Sequence, residues 1–518
     1  ERFLTLVPPI IDNNNLLVAH QSKIESYSLP DGKTNWKLDL NGARVWSGFS
    51  FDKKTNTILI VTSNLINLLG NTNIKNDFSN SLVLIDSKNG QVKCKFKDTI
   101  HDHWDLDLIG SPIISEVTLI TGEKINAGYA FSKTGNTLVV DINKCKLVYE
   151  KFISKINTDH ISPIKGQFYS KYQKIFNKPE KLMSLKYDLQ EYINYIKKDK
   201  ENYNYILHRT RNAKSGDEYI PLSFNYDVIM YGIHGGPEWA GGSLDKINNQ
   251  ILVTTNHYPW IIRSFYKSKE KKFIDKINFY LAGLIDHPGR EIYKSKCQSC
   301  HLKNMNGVYQ SELFGDNYIP SLIGITKLNK FNSLENKNLF ENSHKYVDIS
   351  LDIKDTELDT LKEFFKINDK FYFENNLIFE TARWQLFLDL YKDFASIPPY
   401  GKINAINKST GELNWEIPFG QKITSNGNIV GGDINFGGIL TTSGNIFFAT
   451  GTPDKFIRSY DSKTGNKLWQ FKMDYAGSSP PMTYLYNDEQ YIIVNSSGGR
   501  FFGYEEKLGD EIYAFKIN

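Results

Sequence analysis

Tyr27-Ser28-Leu29-Pro30-Asp31-Gly32-Lys33-Thr34-Asn35-Trp36 reads as the end of a strand, a turn and the start of a second strand, and the unit recurs. Copies stand at Ile85-Asp86-Ser87-Lys88-Asn89-Gly90-Gln91-Val92-Lys93-Cys94, Ile406-Asn407-Lys408-Ser409-Thr410-Gly411-Glu412-Leu413-Asn414-Trp415 and Tyr460-Asp461-Ser462-Lys463-Thr464-Gly465-Asn466-Lys467-Leu468-Trp469. A weaker copy is Val140-Asp141-Ile142-Asn143-Lys144-Cys145. Asp, Asn, Ser and Gly suit a tight turn between antiparallel strands. The large residue after the turn can pack against a neighbouring unit. Such a unit cannot bury its own faces, so units must stack, and spaced copies point to a radial propeller rather than a generic antiparallel sheet. Residues 57–62, 250–255 and 445–450 read as further strands. The expected fold is an all-β propeller.

The bulk numbers agree. A chain of 518 residues exceeds one ordinary domain, but each propeller blade adds its own small core. The hydrophobic share of 40% and aromatic share of 14% suit a folded chain, and a net charge of +4 leaves no nucleic-acid footprint. No run of about 18 apolar residues occurs, so no membrane-spanning helix is expected. The chain starts at Glu1 with no visible signal peptide, which reads as processing or truncation. Cys94 and Cys145 can pair in an oxidising compartment. The reading adopted is that both are small buried groups, at positions where other repeats carry Trp or another apolar residue.

Two stretches break the repeat. Residues 155–220 are rich in Lys, Tyr and Asn, with helical spacing of apolar residues over 182–205 that predicts one surface helix. The run Lys197-Lys198-Asp199-Lys200-Glu201 reads as its solvated face. The second stretch, 282–372, separates a first propeller part (1–281) from a last part (373–518). It carries Cys297-Gln298-Ser299-Cys300-His301. In Cys-x-x-Cys-His two thiols add to haem vinyl groups and the His ligates the iron, whereas Cys-x-x-Cys alone also suits zinc or redox chemistry. The flanks Arg290-Glu291-Ile292-Tyr293, Ile319-Pro320-Ser321-Leu322-Ile323-Gly324 and the helical 355–365 resemble a class I cytochrome c domain, which implies an inserted all-α unit with covalent haem c. That resemblance implies a Met ligand shortly before the last helix. Ser343-His344-Lys345-Tyr346-Val347-Asp348-Ile349-Ser350 has none, and Met305 lies too soon after His301 to cross the haem plane. His344 is the candidate second ligand; the alternative is a surface His344 with five-coordinate or water-bound iron. Loss of Met would lower the reduction potential.

Val45-Trp46-Ser47-Gly48-Phe49-Ser50-Phe51-Asp52, Val61-Thr62-Ser63-Asn64, Ser79 to Asp86 and His101-Asp102-His103-Trp104-Asp105-Leu106-Asp107 resemble, in order and spacing, the pyrroloquinoline quinone (PQQ) dehydrogenases. So do Glu238-Trp239-Ala240-Gly241-Gly242, Thr255-Asn256-His257-Tyr258-Pro259-Trp260, Asn435-Phe436-Gly437-Gly438, Ala476 to Tyr484 and Gly509 to Phe515. The resemblance is to the glucose- and alcohol-oxidising branch with an inserted cytochrome c. It implies an eight-bladed-type quinoprotein propeller that is incomplete here and begins within the third blade. It further implies that Trp46 stacks on PQQ, Asn64 ligates Ca²⁺, Asn256 hydrogen-bonds the quinone, and Trp239, Gly437 and Gly438 line the pocket. The blander reading makes the Trp residues blade packing and Asn64 a turn residue.

Two departures stand out. The carboxylate base is expected in the turn matching Ser132-Lys133-Thr134-Gly135-Asn136, where there is no acid, so no catalytic residue is assigned; nearby Asp141 belongs to the repeat. The segment Ala19 to Ile24 lacks an acidic metal ligand that some relatives have there. Three functions follow as alternatives: a periplasmic dehydrogenase passing electrons from a sugar or alcohol through PQQ to haem and on to a soluble cytochrome or the respiratory chain, a degenerate propeller serving as scaffold, or a plain electron-transfer cytochrome.

Overall fold

A computed structural model of the chain describes residues 7–20, 22–64, 76–149, 151–155, 172–269, 284, 286–309, 318–346, 352–499 and 508–516. Six blade-like antiparallel sheets follow one another among them. Blade 1 holds strands Ile10–Asp12, Asn15–His20, Lys23–Ser28 and Thr34–Asp39; blade 2 holds Ser50–Asp52, Thr57–Val61, Ser81–Asp86 and Val92–Lys97. Blade 3 runs Leu108–Thr118, Lys124–Ser132, Thr137–Asp141 and Lys146–Leu147, and blade 4 runs Gly236–Asp245, Gln250–Asn256, Gly401–Asn407 and Leu413–Pro418. Blade 5 is Gly438–Thr441, Ile446–Thr450, Phe456–Asp461 and Lys467–Lys472; blade 6 has three strands, Met482–Tyr486, Glu489–Ser496 and Glu511–Lys516. Each sheet buries its faces against the next. Ile60 and Val83 of blade 2 join Leu17 and Ile24 of blade 1, and Leu59 and Leu84 face Ala130 and Val140 of blade 3. Tyr129 and Phe131 meet Ile251 and Val253 of blade 4, Ile403 meets Phe447 of blade 5, and Phe448 meets Ile492 of blade 6.

The recurrent turn has a single packing logic. The residue four places after the turn Gly lies on the turn Gly of the following blade. A Cβ on Gly90 would stand 2.4 Å from Trp36 Cε3, and one on Gly465 would stand 3.0 Å from Trp415. Tyr149 fills the Trp place of blade 3 and reaches Gly411. Burial of a large apolar side chain at such a seam contributes about 1.5–3 kcal/mol. Between blades 2 and 3 the same pair of places is taken by Cys94 and Cys145, which form a disulfide with Cα atoms 5.9 Å apart. This corrects the expectation of two unpaired packing cysteines. Cys145 stands in the place of the Gly, at φ 51°, so it faces Cys94 across the seam. Trp469, at the Trp place of blade 5, is 39% exposed; among the described residues blade 6 has no fourth strand and so no turn to receive it.

Between its second and third strands, blade 4 is interrupted by an excursion over 257–400. Asn256 pairs with Gly401, so the chain leaves and returns at adjacent points. Within the excursion Trp260–Ser268 pairs with Ile378–Leu386 along nine residues and extends a sheet that includes Asp227–Met230. The expected surface helix is two: α1 (Leu189–Ile196) and α2 (Lys200–Thr210). The Asp199 side chain accepts from Asn202 N and restarts the helix, so the charged run marks a break, and Lys197, Lys198, Lys200 and Glu201 are exposed as expected. Residues 182–187 are non-helical, and Leu182, Met183, Leu185 and Tyr187 are buried. Both helices pack on Phe387, Ala395 and Ile261, and Asn202 donates to Asp389 at 2.9 Å.

A helical unit sits between the paired strands. It comprises α3 (Pro288–Lys296), α4 (Gln298–His301), α5 (Lys337–Ser343) and α6 (Asp355–Glu374). It has its own core, including Tyr293, Met305, Ile323, Phe340, Leu361 and Phe365.

Candidate active site

Asp102 ties the turn after blade 2. Its carboxylate accepts from Trp104 N (2.9 Å), Leu106 N (2.7 Å) and Asn80 Nδ2 (2.9 Å). Trp104 Nε1 donates to Ile220 O at 2.7 Å. The turn so fixed holds Asp105 in the left-handed region, φ 68°, a conformation that costs an L-residue about 1–2 kcal/mol and is worth a functional question. Asp105 Oδ1 accepts from Asn64 Nδ2 at 2.9 Å, and Asp107 Oδ1 from Asn64 N at 2.7 Å.

The facing group comes from the turn expected to supply an acid. Ser132 Oγ, Thr134 Oγ1 and Asn136 Nδ2 all donate to Asp98, at 2.6, 3.0 and 2.8 Å. With these alternate residues anchored on Asp98, Lys133 is presented on the other side. Its Nζ lies 3.3 Å from Asp105 Oδ2, 3.6 Å from Asp107 Oδ2 and 5.4 Å from the Trp46 ring centre. The turn therefore carries the cation, and the carboxylate opposite it is Asp105. Burial pushes the Asp105 carboxyl up to about 7: Lys133 draws it down, but the charges of Asp107 and Asp102 add to the burial. Burial and Asp107 push Asp102 up to about 6. Lys133 is itself buried, yet Asp105, Asp107 and Glu238 hold it as the ammonium. Three carboxyls share one cation, which is why a raised acid and a firmly charged Lys coexist. The Asp105 side chain keeps 18% of its surface exposed, so a small molecule can reach it.

Trp46 and Trp239 stand 6.2 Å apart at 46°, both half-buried. The Trp46 Nε1 and the Glu238 Oε2 are buried without a hydrogen-bond partner among the described residues. Burial pushes Glu238 up to about 8, against the pull of Asn256 and Lys133. Asn256 is fully engaged: Nδ2 donates to Glu238 Oε1 and Asn435 O, and Oδ1 accepts from Asn435 N and Nδ2. Gly437 and Gly438 allow close backbone approach, since a Cβ on Gly437 would meet Thr450 O at 2.3 Å and one on Gly438 would meet Ala240 Cβ at 2.6 Å. The structure thus gathers Trp46, Asn64 and Trp239 around Lys133 and gives Asn256, Gly437 and Gly438 framework contacts. Asp105 and Lys133 were missed as a pair. The available signal was the second Asp of His101–Asp107, left over once Asp102 is spent on the turn.

Comparison with known proteins decides the family. The family described as PQQ, glucose/ethanol/alcohol dehydrogenase, β-propeller domain, matches residues 21–285 and 324–492. The chain belongs to this PQQ propeller family. The matched stretches leave out 286–323, where the Cys297–His301 motif lies. Quinoprotein glucose dehydrogenase A of Acinetobacter calcoaceticus is 22% identical over 95% of this chain and 53% of its own length. Quinoprotein glucose dehydrogenase of Escherichia coli is 22% identical over 98% of this chain and 57% of its own. The chain therefore spans about half the length of these relatives. Quinohemoprotein alcohol dehydrogenase from Comamonas testosteroni shares the fold, with a TM-score of 0.54 at 13% identity over 98% of this chain and 59% of that one.

The donor groups fit the cofactors of a PQQ propeller family member. Two tilted indoles, one with its N–H unspent, and an ammonium suit a flat, anionic aromatic ring. Asn64 offers a hard oxygen for Ca²⁺, although among the described residues no three His, Cys, Asp or Glu side chains converge on one point. In the helical unit, Cys297 and Cys300 are unpaired thiols at the two ends of one turn. His301 Nδ1 lies 2.9 Å from Pro320 O, which fixes the proton on Nδ1 and leaves Nε2 as a ligand atom.

Proposed function

We propose that this propeller is the catalytic part of a PQQ-dependent dehydrogenase that oxidises a sugar or alcohol, with Asp105 as the general base. The observation that carries the reading is the reachable Asp105 carboxylate, set against Lys133 beside the Trp46 face. PQQ, when bound, takes up the hydride from the substrate carbon. Trp46 and Lys133 would hold this flat, anionic group, and Asn64 would offer a carbonyl oxygen to Ca²⁺. The Asp105 carboxylate removes the hydroxyl proton, and Lys133 keeps Asp105 ionised and aimed.

In the helical unit over 282–372, Cys297 and Cys300 would hold haem c covalently and His301 would ligate its iron, which would supply single-electron transfer toward a soluble cytochrome or the respiratory chain. Haem c attachment and the Cys94–Cys145 disulfide both suit the periplasm. The test is PQQ binding by tryptophan fluorescence in the presence of Ca²⁺. Trp46→Ala and Lys133→Met should each weaken binding about tenfold or more. Unchanged affinity in both variants would remove this site from consideration.

A further inference from the structure

The helical unit holds a second imidazole besides that of His301. His344 follows α5, is half-buried, and stacks on Phe340 with ring centres 4.4 Å apart. Its Nδ1 lies 2.9 Å from Phe340 O, as His301 Nδ1 lies 2.9 Å from Pro320 O. Both rings thus carry their proton on Nδ1 and keep a bare Nε2, the form of a histidine ready for a metal.

Sulfur does not offer an alternative. Met305 is the one Met between Met230 and Met473. Its carbonyl accepts from Leu322 N (2.9 Å) and Ser321 Oγ (3.2 Å), next to Pro320, which holds His301. Met305 therefore lies on the His301 side. The remaining histidine of the unit, His287, spends Nδ1 accepting from Gly289 N at the start of α3.

The segment carrying His344 is braced from outside the unit. His208 Nε2 of α2 lies 2.6 Å from Asn342 O. Tyr346 packs edge-on against Tyr205 at 5.1 Å and against His208 at 5.0 Å. α2 is itself anchored on Asp389 through Asn202. The Lys-rich interruption of the propeller thereby reaches the neighbourhood of His344.

We propose that His344 is the second axial ligand of the haem iron, giving bis-histidine ligation, and that α2 holds it in place through Tyr205 and His208. The proposal rests on the haem reading above. The two are separated by first measuring covalent haem on the purified full-length chain, made in a periplasm with haem c maturation, and then its ligation. The wild-type ferric protein should be low-spin without the far-red band of methionine-ligated haem, and its ferrous form should bind CO slowly. His344→Ala should turn high-spin and bind CO at once. His344→Met should return a low-spin spectrum with the sulfur band and a higher potential, which also shows that the unit still folds. Tyr205→Ala with His208→Ala should speed CO binding while haem content stays the same. A methionine band in the wild type, or a low-spin His344→Ala, would overturn the ligand assignment and leave the haem standing. Absence of covalent haem would overturn both.

Discussion

Asp105 is one of three acids within seven residues, and its role comes from what surrounds it rather than from its own type. Asp102 is consumed by two backbone N–H groups and Asn80. Asp107 takes Asn64 N, whereas Asp105 takes the Asn64 amide, faces Lys133 and keeps part of its surface exposed. Asp105→Asn should lower kcat by about 10²–10⁴-fold, the usual worth of a positioned base, with PQQ affinity kept within a few fold. A base works only when deprotonated. With its carboxyl pushed up to about 7, kcat/KM should fall as pH drops through about 7. Lys133 draws that value down, so Lys133→Met should move the limb to higher pH, a shift read from the pH profile of kcat/KM. A pH-independent rate between 6 and 8, taken as roughly one unit either side of that value, would argue against Asp105. Trp46, Asn64 and Trp239 stand out in the sequence through their order and spacing. The facing of Asp105 and Lys133 does not, because it joins residues from two separate turns.

The turn units were legible as elements, since Gly at one place and a large residue four places later both stand in the chain. Their seam contacts were not, because the partner Gly belongs to the next copy. That is why Cys145 passed for a packing residue when it occupies a Gly place across from Cys94. The disulfide joins blades 2 and 3 over a sequence separation of 51. Cys94→Ser with Cys145→Ser should cost about 2–4 kcal/mol, measured by denaturant unfolding against the oxidised protein. A loss under about 0.5 kcal/mol would mean the link adds nothing to the Leu59–Ala130 packing beside it. The 182–205 stretch shows the opposite failure. Apolar spacing continued through a point where a capping Asp199 stops one helix and starts another, and periodicity alone does not register a cap.

At the scale of the molecule, blade 4 joins the candidate site to the helical unit. It contributes Trp239 and Asn256 to the site, and its 257–400 excursion ends in the paired strands that carry the helical unit. The strand Trp260–Ser268 runs from Trp260, 5.1 Å from His234, to Ser268, whose backbone N donates to Asn306 Oδ1 at 2.8 Å. The sequence set 282–372 apart from the strand repeats, because its Cys-x-x-Cys-His motif and lack of strand alternation are local signals. It did not show that the break falls inside one blade, which depends on Asn256 pairing with Gly401. The central claim is that one chain removes a proton at Asp105 and delivers electrons to its own haem. The most direct measurement follows the haem absorption of the full-length protein, loaded with PQQ and Ca²⁺, after anaerobic addition of sugars and alcohols, beside Asp105→Asn. The account predicts haem reduction that needs both PQQ and substrate and is about a hundredfold or more slower in the variant. Haem that stays oxidised with every substrate while PQQ is bound, or that is reduced equally fast in Asp105→Asn, would contradict it.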